Sequence, residues 1–403
     1  MSIIVQKYGG SSVADEQRIH RVAERILQTR REGHDVVVVV SAMGSTTQEL
    51  LDRANRMADD PPRRELDVLL STGECQSMAL LSMALDARDA PSVSLNGPQS
   101  GVRTSDNHFN AAVTAVEPAR IRDELAAGRI VVVAGYQGLG PGLDVTTLGI
   151  GGSDISAVAL AAALDAERCE ICSDVAGVYS ADPGVVEDAR RLDEISYAEM
   201  LTLARHGASV LNPRAVGYAR DHGVEIHALS TFEPEAGGTI VRDVPLPCDP
   251  RVVGVASHPT LVPIVVTAKS ADSRDKLGDA VRDHLGTDDV FLDRRQGRNG
   301  PRELFIAASD LPDPHAFGER IRERFDARVR VGEARASVSA VGLGLGAAAE
   351  QWHSASRIHA RRAGIEVYRD YSADHALTCL IEPEKVEPAV ELLHDRLALA
   401  EAS

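Results

Sequence analysis

The chain has 403 residues, 44% of them hydrophobic, with 60 acidic residues against 43 Lys and Arg and a formal charge of −17. That length predicts two or three domains, and the acidic balance excludes the basic face that nucleic-acid binding needs. No apolar run approaches about 18 residues and no basic-then-apolar leader opens the chain, so neither a membrane span nor a signal peptide is expected and the cytoplasm is the default compartment.

Taken in order, Ser2–Tyr8 reads as a buried strand running into Gly9-Gly10-Ser11-Ser12. A helix is expected from about Asp15, burying Ile19, Val22, Ala23 and Ile26 and stopping at Gly33. Asp35–Val40 carries five consecutive valines, the signature of a parallel strand covered on both faces, and delivers Ser41–Thr47 to its C-terminal end. Further strands are expected at Pro91–Leu95, Ile130–Ala134, Arg168–Ser173 and Gly223–Ala228. Strands alternating with helices predict an α/β/α sandwich whose ligand loops lie at the C-terminal strand ends.

Two stretches carry candidate phosphate chemistry. Val145–Asp154 is a turn with Gly149, Gly151 and Gly152, running into the alanine-rich segment Ile155–Leu164. Ala157, Leu160, Ala161 and Leu164 share one helical face, and Ser153 stands where an N-cap is expected. Unpaired N–H groups and the dipole at such a helix start suit an anionic oxygen, although a tight turn before a packed helix would read the same way. Lys7 is the second feature. Only four lysines (Lys7, Lys269, Lys276, Lys385) stand against 39 arginines, so the first 268 residues keep a single compact ammonium, just before Gly9-Gly10. This is not a Walker loop, since G-x-x-x-x-G-K is absent.

The five cysteines form no disulfide framework. Cys169-Glu-Ile-Cys172 has the spacing of a redox or zinc pair, but residues three apart on a strand face opposite ways. Ser196-Tyr-Ala-Glu199 is a capping box opening a helix to about His206. Around Thr231–Pro250 the composition turns to Pro, Gly and acidic residues, marking a domain boundary. Beyond it, strands are expected at Val252–Ala256, Val262–Ala268, Leu304–Ala308, Ala336–Leu343, Gly364–Tyr368 and Ala376–Ile381. Helices are expected near 275–284, 315–325, 349–362 and 386–396, giving two small units of βαββαβ-like rhythm.

The motifs Val5–Ala14, Ser41-Ala-Met-Gly44, Ser71-Thr-Gly-Glu74, Thr147–Asp154, Ser173–Pro183, Leu192–Met200 and Asn212-Pro-Arg214 stand in the order seen in aspartate kinases, and the chain resembles that family over residues 1–244. The resemblance implies an amino acid kinase fold over 1–244, followed by two ferredoxin-like (ACT-like) units over 250–330 and 331–403. It implies Mg²⁺-dependent transfer from ATP to the side-chain carboxylate of aspartate or a closely related small acid, giving an acyl phosphate, in a homodimer built through the ACT-like units.

By the same resemblance Lys7 and Asp154 are catalytic, and Gly9, Gly10 and Ser12 hold the phosphates. Ser173, Asp174, Tyr179 and Asp182 line the nucleotide site. Ser41, Thr47, Glu74, Gly151, Gly152 and Ser153 bind the acceptor, with Glu74 pairing its α-amino group. Glu74 could also read as a solvated helix-start charge, and Asp174 or Asp182 as turn formers.

Five positions depart from the family, three of them by losing a cation. Ile150 replaces an arginine that clamps the substrate α-carboxylate, and Gly184 and Ser209 replace an arginine and a lysine that face the nucleotide; Ala176 and Asn212 are milder changes. Arg103 and Arg214 are the candidates for restoring the lost charge. The likeness of the C-terminal part is faint at Ser270–Asp275, Asp289–Leu292 and Gly364–Tyr368, which implies that the scaffold persists for dimerisation without lysine or threonine feedback. The alternatives are a catalytically weak homologue acting as a binding or regulatory subunit, and a related nucleotide-dependent transferase with a modified substrate.

Overall fold

The computed structural model describes residues 2–244, 251–268, 290–295, 301–308, 311, 314–325 and 327–400. The helix expected near 275–284 and the segment Ser270–Asp275 lie outside the described residues. The chain divides into two compact units: Met1–Val178, Arg191–Met200 and Val210–Val244 form the first, and Tyr179–Arg190, Leu201–Ser209 and Pro245–Ser403 the second.

In chain order the first unit opens with β1 (Ile3–Tyr8), α1 (Glu16–Arg31), β2 (Asp35–Val40), α2 (Thr46–Met57) and α3 (Arg63–Asp86). It continues with β3 (Ser92–Leu95), α4 (Gly97–Ser100), β4 (Val102–Thr104), β5 (Val113–Val116), α5 (Ala119–Ala126), β6 (Ile130–Ala134), β7 (Gln137–Leu139) and β8 (Val145–Thr147). Then come α6 (Gly152–Leu164), β9 (Arg168–Ser173), β10 (Glu194–Ser196), α7 (Tyr197–Arg205, which passes into the second unit at Leu201), α8 (Pro213–His222), β11 (Ile226–Ser230) and β12 (Gly238–Arg242).

Eight strands form one sheet in the order β10-β12-β11-β9-β1-β2-β6-β3. β1 pairs in parallel with β2 on one side and β9 on the other, so Lys7 stands opposite Val39 and Ile171. The chain first winds outward on the β2 side and then returns to the β9 side. β1 is therefore the switch point, and the crevice for a ligand opens beyond its C-terminal end.

The valine run behaves as its composition requires, with Val36 to Val40 no more than 1% exposed. Ile19, Val22, Ala23 and Ile26 of α1 and Leu81 and Leu85 of α3 pack with Val36, Val38, Val40, Ile130 and Val132 in one core cluster. Asp15 caps α1 by accepting from Arg18 N at 2.8 Å. α3 is long and apolar enough to cross a membrane by length and composition, but half of its most apolar window is buried within the protein, as in a core helix. α6 is buried around nearly its whole circumference, beyond the single face that Ala157, Leu160, Ala161 and Leu164 define.

The four-stranded sheet β5-β4-β7-β8 was not expected from the sequence. Its three- and four-residue strands are too short to show a period of two.

The second unit contains β13 (Gly254–Ala268), β14 (Val290–Arg295), β15 (Arg302–Ala307), α9 (Pro314–Phe325), β16 (Ala327–Val331) and β17 (Arg335–Val341). It ends with α10 (Ala349–Arg362), β18 (Arg369–Ala373), β19 (Ala376–Ile381) and α11 (Val386–Ala400). Its strands join in the order β14-β15-β13-β17-β19-β18, with β16 also on β13.

The two strands expected at Val252–Ala256 and Val262–Ala268 are one strand, β13, whose register shifts between His258 and Leu261. Pro259 sits at that irregularity, where no ladder N–H is needed. The strand expected at Gly364–Tyr368 is displaced to Arg369–Ala373, because Gly364 (φ 70°) closes the turn that ends α10. Phe317 and Ile321 of α9 pack on β13 and β15 in one cluster, and α10 and α11 pack on β17 and β19 in another.

Candidate active site

Five loops of the first unit converge beyond the C-terminal strand ends. They follow β1 (Gly9–Ser12), β2 (Ser41–Ser45), β6 (Gly135–Tyr136), β8 (Leu148–Gly151) and β9 (Asp174–Gly177). At the centre the Lys7 Nζ lies 2.6 Å from Asp154 Oδ1, both side chains 12% exposed. β1 brings the lysine and the first turn of α6 brings the aspartate, 147 positions later in sequence. A carboxylate this close to an ammonium holds it in one place and leaves its other N–H bonds for a third partner.

Backbone surrounds the ammonium. A Cβ at Gly9 would stand 3.5 Å from Lys7 Nζ, and one at Gly10 would fall 2.9 Å from Ala42 O. Gly10 O in turn accepts from Gly44 N at 3.1 Å, which ties the β1 loop to the β2 loop. Only glycine fits that crossing. Ser12 is fully buried, and its Oγ lies 2.7 Å from Thr231 Oγ1.

The entry to α6 differs from expectation. Gly151, not Ser153, is the N-cap, in a left-handed conformation (φ 72°) with no side-chain cap. Gly151 O accepts from Asp154 N (3.0 Å) and Ile155 N (3.2 Å), and Gly152 N donates to Gly149 O (2.9 Å). A Ser153 cap would need an extended backbone there, whereas the double-glycine turn starts the helix two residues earlier. Ser153 therefore lies in the first turn, its side chain close to Gly135: a Cβ at Gly135 would sit 2.8 Å from Ser153 Oγ.

Asn212 braces the turn from below. Its Nδ2 donates to Ile150 O (3.1 Å) while its Oδ1 caps α8 by accepting from Arg214 N and Ala215 N. Arg214 donates to Asn110 Oδ1 (2.8 Å), Leu148 O (2.7 Å) and Ala111 O (3.2 Å), so it holds the loop. Arg103 pairs with Glu117 at 2.9 Å. The two arginines considered as replacements for lost charge thus have structural partners. Ile150 itself is 76% exposed.

Glu74 is not a solvated helix-start charge: it sits in the middle of α3, 3% exposed, and accepts from Ala42 N at 3.1 Å through Oε1. Its buried Oε2 has no partner. Burial pushes its carboxyl up to about 7, against the downward pull of the Ala42 N–H. A buried carboxylate with an unused oxygen is suited to a cation that arrives with a ligand. Ser41 and Thr47 flank the same loop, at the end of β2 and in the first turn of α2.

One cluster escaped the sequence reading. Asp67, fully buried, accepts from Thr147 Oγ1 (2.6 Å) and Phe109 N (3.0 Å) and lies 2.6 Å from His108 Nδ1. Asp67, Ser71 and Glu74 share one face of α3 at spacings of four and three, which was the available signal: buried polar residues at helical period.

Ser173 closes β9, its Oγ accepting from Val175 N at 3.4 Å, and Asp174 is exposed just beyond it. Tyr179 and Asp182 fall in Tyr179–Arg190, a segment of the second unit, where Asp182 Oδ1 accepts from Gly184 N (2.8 Å) and closes a turn. Gly184 and Ser209 also belong to the second unit and are exposed. Cys169 and Cys172 are both buried in β9 and free.

Residues 2–230 match the model of the amino acid kinase family. The chain is 52% identical over 260 residues to the aspartokinase of Mycobacterium tuberculosis, an alignment spanning 64% of this chain and 62% of that relative's length. It is 39% identical over 408 residues to the aspartokinase of Geobacillus stearothermophilus, covering 100% of this chain and 98% of that one. Among solved structures, E. coli aspartokinase III in complex with aspartate and ADP superposes with a TM-score of 0.81 over 98% of this chain and 99% of that one. Its 24% identity speaks for the fold alone. The aspartate kinase of Synechocystis is 33% identical, with a TM-score of 0.56 over 98% of this chain and 69% of that chain.

Proposed function

The chain belongs to the amino acid kinase family and, within it, to the aspartokinases, and from that premise we propose that it transfers the γ-phosphoryl group of ATP to the side-chain carboxylate of aspartate. The Lys7–Asp154 pair at the sheet's switch point carries this reading. A carboxylate acceptor is already ionised at neutral pH, so the reaction needs no general base. One carboxylate oxygen bonds to the γ-phosphorus while the bond to the bridging oxygen breaks, and that oxygen leaves with its electrons on ADP. The obstacle is the approach of two anions, which the protein overcomes by positioning and by neutralising charge.

Lys7 supplies the fixed cation and Asp154 keeps it aimed. On the phosphate side stand the N–H groups of Gly10 and Ser153 and the Ser12 and Ser153 hydroxyls, while the N–H groups of Gly9, Ser12 and Gly152, donated to Cys172 O, Gly9 O and Gly149 O, shape the two turns. The bare backbone beside the ammonium leaves room for a phosphate, as a Cβ at Gly9 would stand 3.5 Å from Lys7 Nζ. Ser173 and Asp174 belong to the nucleotide side. Mg²⁺ brought in with the nucleotide would supply further neutralisation of the phosphate charge. Glu74 Oε2, Ser41 and Thr47 would take the acceptor's ammonium and reacting carboxylate, beside Gly151.

The second unit is read as two ACT-like halves, 250–330 and 331–403, building a homodimer. A second reading, a weakly active regulatory subunit, rests on Ile150, whose exposed apolar side chain stands where a guanidinium would hold the α-carboxylate. Trapping with hydroxylamine separates the two. A hydroxamate formed from aspartate, dependent on ATP and lost in Lys7→Met, supports the kinase. No hydroxamate from aspartate or from acids lacking the α-carboxylate leaves the regulatory reading.

A further inference from the structure

We infer that the second unit carries a site for a borderline-soft divalent metal of the Zn²⁺ class, formed by His353, Asp370 and Cys379. Among the described residues these three form the group whose ligand atoms lie within 4.8 Å of one another. The fold brings them together in a specific way. Asp370 of β18 and Cys379 of β19 are directly opposed in the antiparallel ladder, so their side chains share one face of the sheet. His353 reaches that face from α10, one turn after the helix begins.

The Cys379 Sγ–Asp370 Oδ1 distance is 3.5 Å, and His353 Nδ1 lies 3.9 Å from the same oxygen. Ligands about 2.0–2.3 Å from one tetrahedral ion stand roughly 3.3–3.8 Å apart, so small side-chain rotations complete the set and leave a fourth position for water.

Two independent observations point to a ligand. His353 Nδ1 is buried and has no hydrogen-bond partner. The ring is nevertheless fixed, because Nε2 lies 2.8 Å from Ser372 Oγ and Trp352 packs edge-on against it. With Nε2–H donating to Ser372, the Nδ1 lone pair faces Asp370 and Cys379, the arrangement in which an outer partner orients a metal-binding imidazole.

The second observation is the division of labour at Asp370. Arg357 Nε takes Oδ2, which leaves Oδ1 directed at the cluster. The thiol, 8% exposed, donates to Oδ1 when no metal is bound. Metal binding displaces that proton to solvent, and the resulting thiolate and the carboxylate offset the ion's charge beside Arg357. Cys379 and Trp352 also line a largely apolar cavity of about 260 Å³. A histidine, a carboxylate and a thiol select Zn²⁺ or Co²⁺ over Mg²⁺, so the site is separate from any nucleotide-borne metal.

The test uses the full chain, stripped with chelator and then dialysed against Zn²⁺ or Co²⁺ in excess Mg²⁺. One equivalent of Zn²⁺ per chain is expected in the wild type and in His359→Gln, with affinity at least tenfold weaker in His353→Gln and Cys379→Ser. The Co²⁺ form should show a thiolate charge-transfer band, absent in Cys379→Ser, and Zn²⁺ binding in weakly buffered solution should release a proton. These last two wild-type readouts hold even where a variant fails to fold. Absence of Zn²⁺ retention, absence of the thiolate band, or equal retention and an unchanged band in Cys379→Ser would each overturn the site.

Discussion

The residues that decide the chemistry are few, and each makes a separate prediction. Lys7→Met should lower kcat about 10²–10³-fold, the usual cost of losing one fixed charge at a developing anion. It should also lower the melting temperature, because Asp154 is left nearly buried without its partner. The double variant Lys7→Met/Asp154→Asn should regain stability without regaining turnover. A double variant as unstable as the single would show that the pair has no electrostatic coupling.

Glu74 predicts a pH dependence. Its folded pKa of about 7 lies above the ordinary carboxyl value, so the folded state binds more protons than the unfolded one. Its contribution therefore favours folding at low pH and is lost as pH rises from about 4.5 to about 7. An ammonium-bearing substrate needs the ionised form. Affinity for aspartate should rise with pH, by up to roughly tenfold per unit below 7, and level off above it. Glu74→Gln should weaken binding and flatten the profile, and an unchanged profile would detach Glu74 from the acceptor. Ile150→Arg should lower KM for aspartate about tenfold, by restoring a guanidinium to a position that is already exposed.

Lys7 was visible in the sequence through the scarcity of lysine, and Glu74 through its motif. Asp67 was missed because a lone aspartate in an apolar helix has no motif, only a period.

Elements show where local pattern suffices and where it does not. The valine run of β2, the Asp15 cap of α1 and the Ser196–Glu199 box were legible because each is a contiguous signal read over a few residues. The sheet β5-β4-β7-β8 was not, since strands of three and four residues are set by their partners. The start of α6 was misplaced by two residues, because serine favours the cap position but Gly151 alone tolerates the left-handed backbone. That geometry is testable. A Cβ at Gly151 would fall 2.1 Å from Asn212 Nδ2, in addition to the backbone strain. Gly151→Ala should cost on the order of 1–3 kcal/mol and lower the melting temperature by several degrees. Adding Asn212→Ala should relieve only part of the clash, since the Cβ of residue 212 would still stand 2.7 Å away, and none of the strain. A thermally silent Gly151→Ala would contradict the described turn.

At the scale of the whole molecule, the alternation of strand and helix announced an α/β first unit, and the ordered motifs supplied its likeness to the kinases. The second unit was legible only as a rhythm, because its long strand β13 is bent at His258–Leu261 rather than broken. If its ACT-like halves build a homodimer, sedimentation should give twice the chain mass of 43.0 kDa. If feedback is lost, lysine and threonine should leave the melting temperature unchanged.

The central claim is that Lys7 and Asp154 hold a phosphoryl group against a carboxylate acceptor. ADP release with Mg·ATP across a panel of small amino and carboxylic acids, run beside Lys7→Met, tests it most directly. The account predicts release that depends on aspartate and disappears in the variant. Release that is indifferent to the acceptor, or that survives in Lys7→Met, would contradict it.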